Sequence, residues 1–171
     1  MNIKKTANLF INFTIRRLAE IFGFIVFSAG ALILLALFTY SPEDPNFIFP
    51  DNTEIKNILG FQGSFISDLL FQSLGLISYL FSFTLIVTGV NIIRSKDFLL
   101  VIENIFFVII YSILGTLFLT HFYSDAFNLY INGNGGFVGK YLNETFFISL
   151  ILINETIFYY ILIILIIFLF L

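Results

Sequence analysis

Long apolar runs, separated by short polar stretches, set the pattern of this chain. Residues 21–40 and 104–120 carry no charge, and 67–93 carries only Asp68, next to its start. A fourth apolar run covers 143–171 and is interrupted by Asn154 and Glu155. Runs of about 20 apolar residues are long enough to cross a bilayer as α-helices. The predicted fold is therefore an all-α integral membrane protein with four transmembrane helices. The spans are placed at about 21–40, 67–93, 104–120 and 146–171, with extracytoplasmic loops at 41–66 and 121–145. Residues 1–19 form a cytoplasmic basic lead, and 20–171 the four-helix transmembrane domain. The first run is too long for a signal peptide and lacks a small-x-small cleavage site, so it is read as an uncleaved span. Pro42 and Pro45 lack backbone donors and end it.

A repeat runs through this pattern. GFQGSFISDLLFQSL at Gly60–Leu74 returns as GFVGKYLNETFFISL at Gly136–Leu150. Gly60, Phe61, Gly63, Phe71, Ser73 and Leu74 recur as Gly136, Phe137, Gly139, Phe147, Ser149 and Leu150, and Asp68 recurs in kind as Glu144. IFGFIVFS at Ile21–Ser28 also resembles IFFVIIYS at Ile105–Ser112. The two halves are read as helical hairpins in parallel repeat. Each glycine stretch is expected to be a turn that delivers the chain into a membrane helix. Gly60, Gly63, Gly136 and Gly139 supply the turn, Ser67 or Asn143 the N-cap, and Asp68 or Glu144 an acid at the positive end of the helix dipole.

Composition narrows the class. The chain of 171 residues is 59% hydrophobic and 11% charged, which excludes an ordinary soluble domain. No basic patch suits nucleic acid, so no direct nucleic-acid contact is expected. There is no Cys and a single His, which argues against disulfides and zinc; no cofactor is expected in this segment. Trp is absent, so Tyr40, Tyr79, Tyr123, Tyr130 and Tyr141 are candidates for the interfacial aromatic role, and the Phe-rich faces for lipid contact and packing. Six of the eight Lys and Arg residues fall in 1–19 and 94–103, and Lys56 and Lys140 fall in the other two connections. That bias places both termini in the cytoplasm.

Two sets of polar residues invite a functional reading. The loop Ser41-Pro42-Glu43-Asp44-Pro45 is either a solvated helix stop or a docking surface for a partner. Adjacent acids in a solvated loop lack the contrasting environments that acid–base catalysis requires. Glu155 is a candidate intramembrane polar site, since carboxylates in lipid are costly. If the fourth helix starts at Asn143, Glu155 lies about 18 Å along it. If the span starts after Glu155, the carboxylate lies at the outer edge, which is the favoured placement. His121 is read as a wet interface residue, with a contact to Glu155 as the less favoured alternative.

These stretches together resemble a known family. Thr39–Phe47 reads TYSPEDPNF, and Asn57–Leu70 reads NILGFQGSFISDLL. They are similar to the "TY-[SD]-P-x-DP-[SN]-[FW]" loop and the "N-x-x-G-x-x-G-x-x-x-x-D-LL" entry of the four-span N-terminal membrane domain of the FtsK/SpoIIIE DNA translocases. The resemblance covers roughly Arg17 to Leu171. It implies a membrane anchor at the bacterial division septum, in the inner membrane, with the lipid bilayer and other division proteins as partners. It implies homo-oligomerisation through a C-terminal hexameric ATPase motor that would follow this segment. No G-x-x-x-x-G-K-[ST] is present, so motor activity is not expected of these residues and the segment is read as no enzyme. The apolar finish at Leu171 suggests the N-terminal piece of a longer protein. The reading from a different class is a small stand-alone transporter or channel using Glu155, with Glu103 as a second carboxylate.

Overall fold

The computed structural model describes residues 3–45, 54–124, 132–147 and 154–171. Asn46 and Phe47 of the loop motif, Tyr130, and 148–150 of the second repeat lie outside the described residues. Every regular element among the described residues is helical. α1 is Ile3–Phe38, α2 Gly60–Leu74, α3 Ile77–Ser95, α4 Leu99–Phe122, α5 Gly136–Leu142 and α6 Glu155–Phe170. A π-helical turn, Asn143–Phe147, continues from α5. Among the described residues three helices are long and apolar enough to cross a membrane: Asn8–Phe38 within α1, Ile77–Ser95 and Leu99–Phe122. α6 is a shorter apolar helix, and with these three it is consistent with a four-span domain.

Several boundaries differ from the sequence expectation. No helix breaker precedes Pro42, so α1 runs unbroken from Ile3 and absorbs the lead drawn at 1–19. Glu20 therefore sits inside a helix. The expected single helix over 67–93 is two helices. α2 starts at Gly60 instead of Ser67, and Gly75 separates it from α3 with φ 60° and ψ −141°, a conformation no helix continues through. The first connection thus ends at residue 59, well short of 66. α4 starts five residues before Asn104, just after Asp97 accepts the Leu99 N–H at 2.9 Å, which leaves Glu103 on the second turn and exposed. The last α-helix starts at Glu155, with the Asn154 side chain accepting the Ile157 N–H at 3.1 Å. The span start expected at about 146 falls in the π-helical turn, and 148–153 lie outside the described residues.

The packing is inverted relative to a water-soluble domain. Phe24, Phe38, Phe106, Ile164 and Phe168 are among many large apolar side chains on the outside. The interior holds Ser64, Ser67, Ser78, Ser82, Ser112 and Thr116 alongside Ala36, Leu37, Ile92 and Leu117. Lipid solvates the outside without cost. Small residues inside let backbones approach, and van der Waals contact and hydrogen bonds hold the helices together.

The α1–α3 pair is the most extensive helix contact, and glycine explains its closeness. A Cβ on Gly89 would lie 2.4 Å from the Phe27 nitrogen and 2.7 Å from the Gly23 oxygen. One on Gly30 would lie 2.8 Å from the Ile86 nitrogen. Gly23 and Gly30 on α1 permit this close contact, and Gly89 is the partner on α3. One end of the pair is fixed by charge: Lys96 Nζ lies 3.0 Å from Glu20 Oε1, and Arg17 Nη1 lies 2.6 Å from Glu20 Oε2. Gly89→Ala should force the two backbones apart, at a cost of about 1–3 kcal/mol. Thermal unfolding in detergent micelles should register this as a lowered midpoint. An unchanged midpoint would show that the backbones are not in contact there.

Candidate functional site: a clasp between the first two helices

The two motif stretches close on each other at the end of α1. Asp44 donates its backbone N–H to Ser41 O at 3.2 Å, which closes a turn with Pro42 at its second position. The turn carries the Asp44 carboxylate inward, where it is fully buried. Oδ1 accepts the Lys56 N–H and Oδ2 the Asn57 N–H, each at 2.8 Å. Asn57 in turn donates its side-chain amide to Ala36 O at 2.9 Å and Thr39 O at 3.3 Å, so carbonyls at the end of α1 gain a donor. Its Oδ1 accepts the Leu59 N–H at 3.1 Å, and its carbonyl accepts the Gly60 N–H at 2.9 Å. Thr39 adds a further tie, accepting the Ile58 N–H at 3.3 Å. Pro45 is buried, and its carbonyl accepts the Ser64 hydroxyl at 3.2 Å.

Each glycine of the entry motif has a separate reason to be there. Gly60 opens α2 with φ +66° and has open space where a Cβ would go, so backbone conformation alone favours glycine. Gly63 lies under Asn57, whose Oδ1 would be 2.2 Å from a Cβ. Asp68 sits in the middle of α2, buried, and accepts the Tyr40 hydroxyl at 3.0 Å. The Tyr40 ring packs on Phe71 at 4.8 Å between centroids, and Phe71 packs on Tyr79 at 5.5 Å. Tyr79 returns its hydroxyl to Leu37 O at 3.3 Å.

This arrangement corrects three expectations. Asp68 is not an acid at a helix start and Ser67 is not an N-cap; Ser67 donates to Ser64 O at 3.0 Å inside α2. Asp44 is not available for direct contact with a partner, because burial and two backbone donors occupy its carboxylate. Of the paired acids, Glu43 is the one that faces outward. Its side chain is 75% exposed and ion-paired to Lys56. The hydrogen bond and charge of Lys56 hold the Glu43 carboxyl below the usual range, and Glu43 raises the Lys56 ammonium in return. The pair contributes between the ordinary Glu and Lys ranges. It is lost when pH falls through the lowered Glu43 value or rises through the raised Lys56 value.

In the second half, Asn134 plays a part like that of Asn57. Its amide donates to Tyr123 O and, at 3.1 Å, to Ser124 O, past the end of α4. Gly136 opens α5 with φ +66°. Gly139 packs on α4, where a Cβ would lie 2.3 Å from Thr120 Oγ1 and 2.4 Å from Thr116 O. Asn143 and Glu144 lie in the π-helical turn, not at a helix start, and Glu144 is exposed. Asn143 Oδ1 meets His121 Nδ1 at 3.1 Å. His121 Nε2 lies 3.6 Å from Glu155 Oε1, so the less favoured contact is the one formed. Glu155 opens α6, and its side chain is 66% exposed. The halves join where a Cβ on Gly75 would lie 2.0 Å from Asn134 O, and where the Leu76 N–H reaches the same oxygen at 2.9 Å.

The clasp binds its own chain: both buried acids accept hydrogen bonds from within the fold. The sequence model of the 4TM region of DNA translocase FtsK/SpoIIIE matches residues 15–171. The chain belongs to this family. Curated relatives include the DNA translocase FtsK of Caulobacter vibrioides, 40% identical over 75 residues, or 44% of this chain and 9% of that protein. The DNA translocase FtsK of Rhizobium meliloti is 31% identical over 87 residues, 51% of this chain and 10% of that protein. That of Pseudomonas putida is 36% identical over 73 residues, 40% of this chain and 9% of that protein. The chain thus spans about a tenth of these relatives, at their N-terminal region. No solved structure matches. In this chain the motif residues Tyr40, Asp44, Asn57, Gly60, Gly63 and Asp68 meet where the end of α1 packs on α2. Asn57 and Tyr40 stand within the quoted motifs, but their spacing carries no sign that Asn57 meets the end of α1 or that Tyr40 meets the middle of α2.

Proposed function

We propose that this chain is the membrane-anchoring domain of a septal DNA translocase acting in bacterial cell division and chromosome segregation, with the motor outside these residues. The observation that carries the reading is the clasp built from both family motifs, on a fold whose apolar side chains face outward. The Lys/Arg bias supports cytoplasmic termini, with the clasp on the outer side of the bacterial inner membrane. The positive φ of Gly60 and Gly136, and the matching asparagine ties to the ends of α1 and α4, support two hairpins in parallel repeat. The partners are the bilayer and other division proteins, with self-association through the motor and no nucleic-acid contact by these residues. Glu155, at the first position of α6 and largely exposed, gives the transporter reading no buried mid-helix carboxylate.

A fluorescent fusion of this chain at near-native expression should concentrate at the division site. Glu43→Ala should weaken that signal while leaving membrane insertion intact, because Glu43 is the outward acid of the loop. Uniform membrane fluorescence of the unmutated fusion would remove the septal reading. Undiminished septal signal from Glu43→Ala would remove this residue from the docking surface.

A further inference from the structure

A cleft of about 470 Å³ opens between α3, α4 and the end of α6. Its apolar walls include Val87, Phe107 and Phe168, and a polar stripe runs through it. Thr84 Oγ1 meets Tyr111 OH at 2.7 Å, and Asn104 donates to Thr88 Oγ1 at 2.6 Å. These four groups satisfy one another across the two helices. Asn91, which continues the stripe toward Lys96, is different: it is exposed, and its side-chain amide makes no hydrogen bond with the described residues. Arg94 lies three residues on, which puts it on the same side of α3 as Asn91. It is also exposed and pairs with no carboxylate among the described residues; Glu20 takes Arg17 and Lys96 instead.

We propose that this cleft is a phospholipid site in which Asn91 and Arg94 hold an anionic phosphodiester headgroup while an acyl chain lies along the apolar walls. The inference rests on the membrane reading above. Phosphate and ester oxygens only accept hydrogen bonds; Asn91 in the cleft wall supplies a donor, and Arg94, three residues beyond the lining on the same side of α3, supplies donors and a positive charge. Both sit in the last turns of α3, four residues or fewer from its end, where a spanning helix reaches headgroup depth. The cleft is amphiphilic in the same sense as its occupant, with donors at one end and rings and aliphatic side chains along the rest. Lipid is also the material that contacts a lateral opening in a membrane helix bundle.

The test is native mass spectrometry of the purified chain in detergent micelles, titrated with phosphatidylglycerol, phosphatidylethanolamine or inorganic phosphate. One phosphatidylglycerol should be retained per chain, at least about tenfold more tightly than phosphatidylethanolamine. Asn91→Leu with Arg94→Ala should reduce that affinity at least about tenfold. Arg16→Ala, an exposed base on α1, should leave it unchanged. Both altered side chains are exposed, and circular dichroism checks that helicity is kept; Arg94→Gln alone serves if the double variant loses it. Equal retention by the variant, or no preference for the anionic lipid, overturns the site while leaving the membrane anchor standing. Displacement of the lipid by millimolar inorganic phosphate would make it a free-anion site and also overturns the proposal. A chain recovered from cells outside the membrane fraction would remove the anchor reading and this site with it.

Discussion

Gly75→Ala should destabilise the fold more than any other single methyl addition at a positive-φ glycine. Two effects combine at this position. The conformation at φ 60° and ψ −141° is one that glycine alone adopts readily, and forcing a side chain into it costs about 1–3 kcal/mol. The added Cβ would also lie 2.0 Å from Asn134 O and 2.8 Å from Gly136 N, both backbone atoms that no rotamer change can move. Relief requires the two halves to separate, which breaks the 2.9 Å bond from Leu76 N–H to Asn134 O. The expected loss is about 3 kcal/mol or more, from strain and overpacking together. Gly60→Ala and Gly133→Ala isolate the conformational part, since both glycines have positive φ and open space around the missing Cβ. Thermal unfolding in detergent should rank Gly75→Ala well below these two. Equal midpoints for all three would show that the backbone junction between the halves does not form.

Asp44→Ala should open the clasp. The buried carboxylate accepts two backbone N–H groups, and hydrogen bonds to a charged group contribute about 1.5–3 kcal/mol each. Removing it leaves the Lys56 and Asn57 donors unpaired, and Asn57 then loses the anchor that presents its amide to the end of α1. A loss of about 3 kcal/mol is expected, the two bonds being coupled through one side chain. Trypsin cleavage after Lys56 reports the opening directly, because the Lys56 backbone is tied down only while Asp44 holds it. Cleavage should accelerate strongly in Asp44→Ala and only slightly in Glu43→Ala, whose ion pair is exposed to water. Equal rates in the two variants would show that the buried carboxylate is not what closes the loop.

The contrast between Glu43 and Asp44 marks the limit of reading the motif as a sequence. Side by side in a Pro-rich loop, the two acids look equivalent, and both were candidates for partner contact. The turn that begins at Ser41 sends one outward and one inward, and only the position of Lys56 and Asn57 reveals which. The same holds for Asp68. A helix dipole argument from the glycine stretch placed it at a helix start. In the fold it lies mid-helix, answering a tyrosine 28 residues earlier.

The sequence by itself determined that the chain is helical and apolar on its outside, where the apolar runs lie, and that Pro42 ends the first of them. Those features follow from local physics: backbone donors must be satisfied within the helix in lipid, and proline has none to offer. The family was also legible, because its motifs are short and contiguous. Only the tertiary structure decided that Gly75 divides one apolar run into α2 and α3, that Gly89 completes the seam begun by Gly23 and Gly30, and that His121 meets Glu155. A glycine inside an apolar run can be a helix seam, a break or a cap, and its own neighbours in sequence do not distinguish these. What distinguishes them is the backbone lying across from it: Phe27 for Gly89, Asn134 for Gly75, and open space for Gly60.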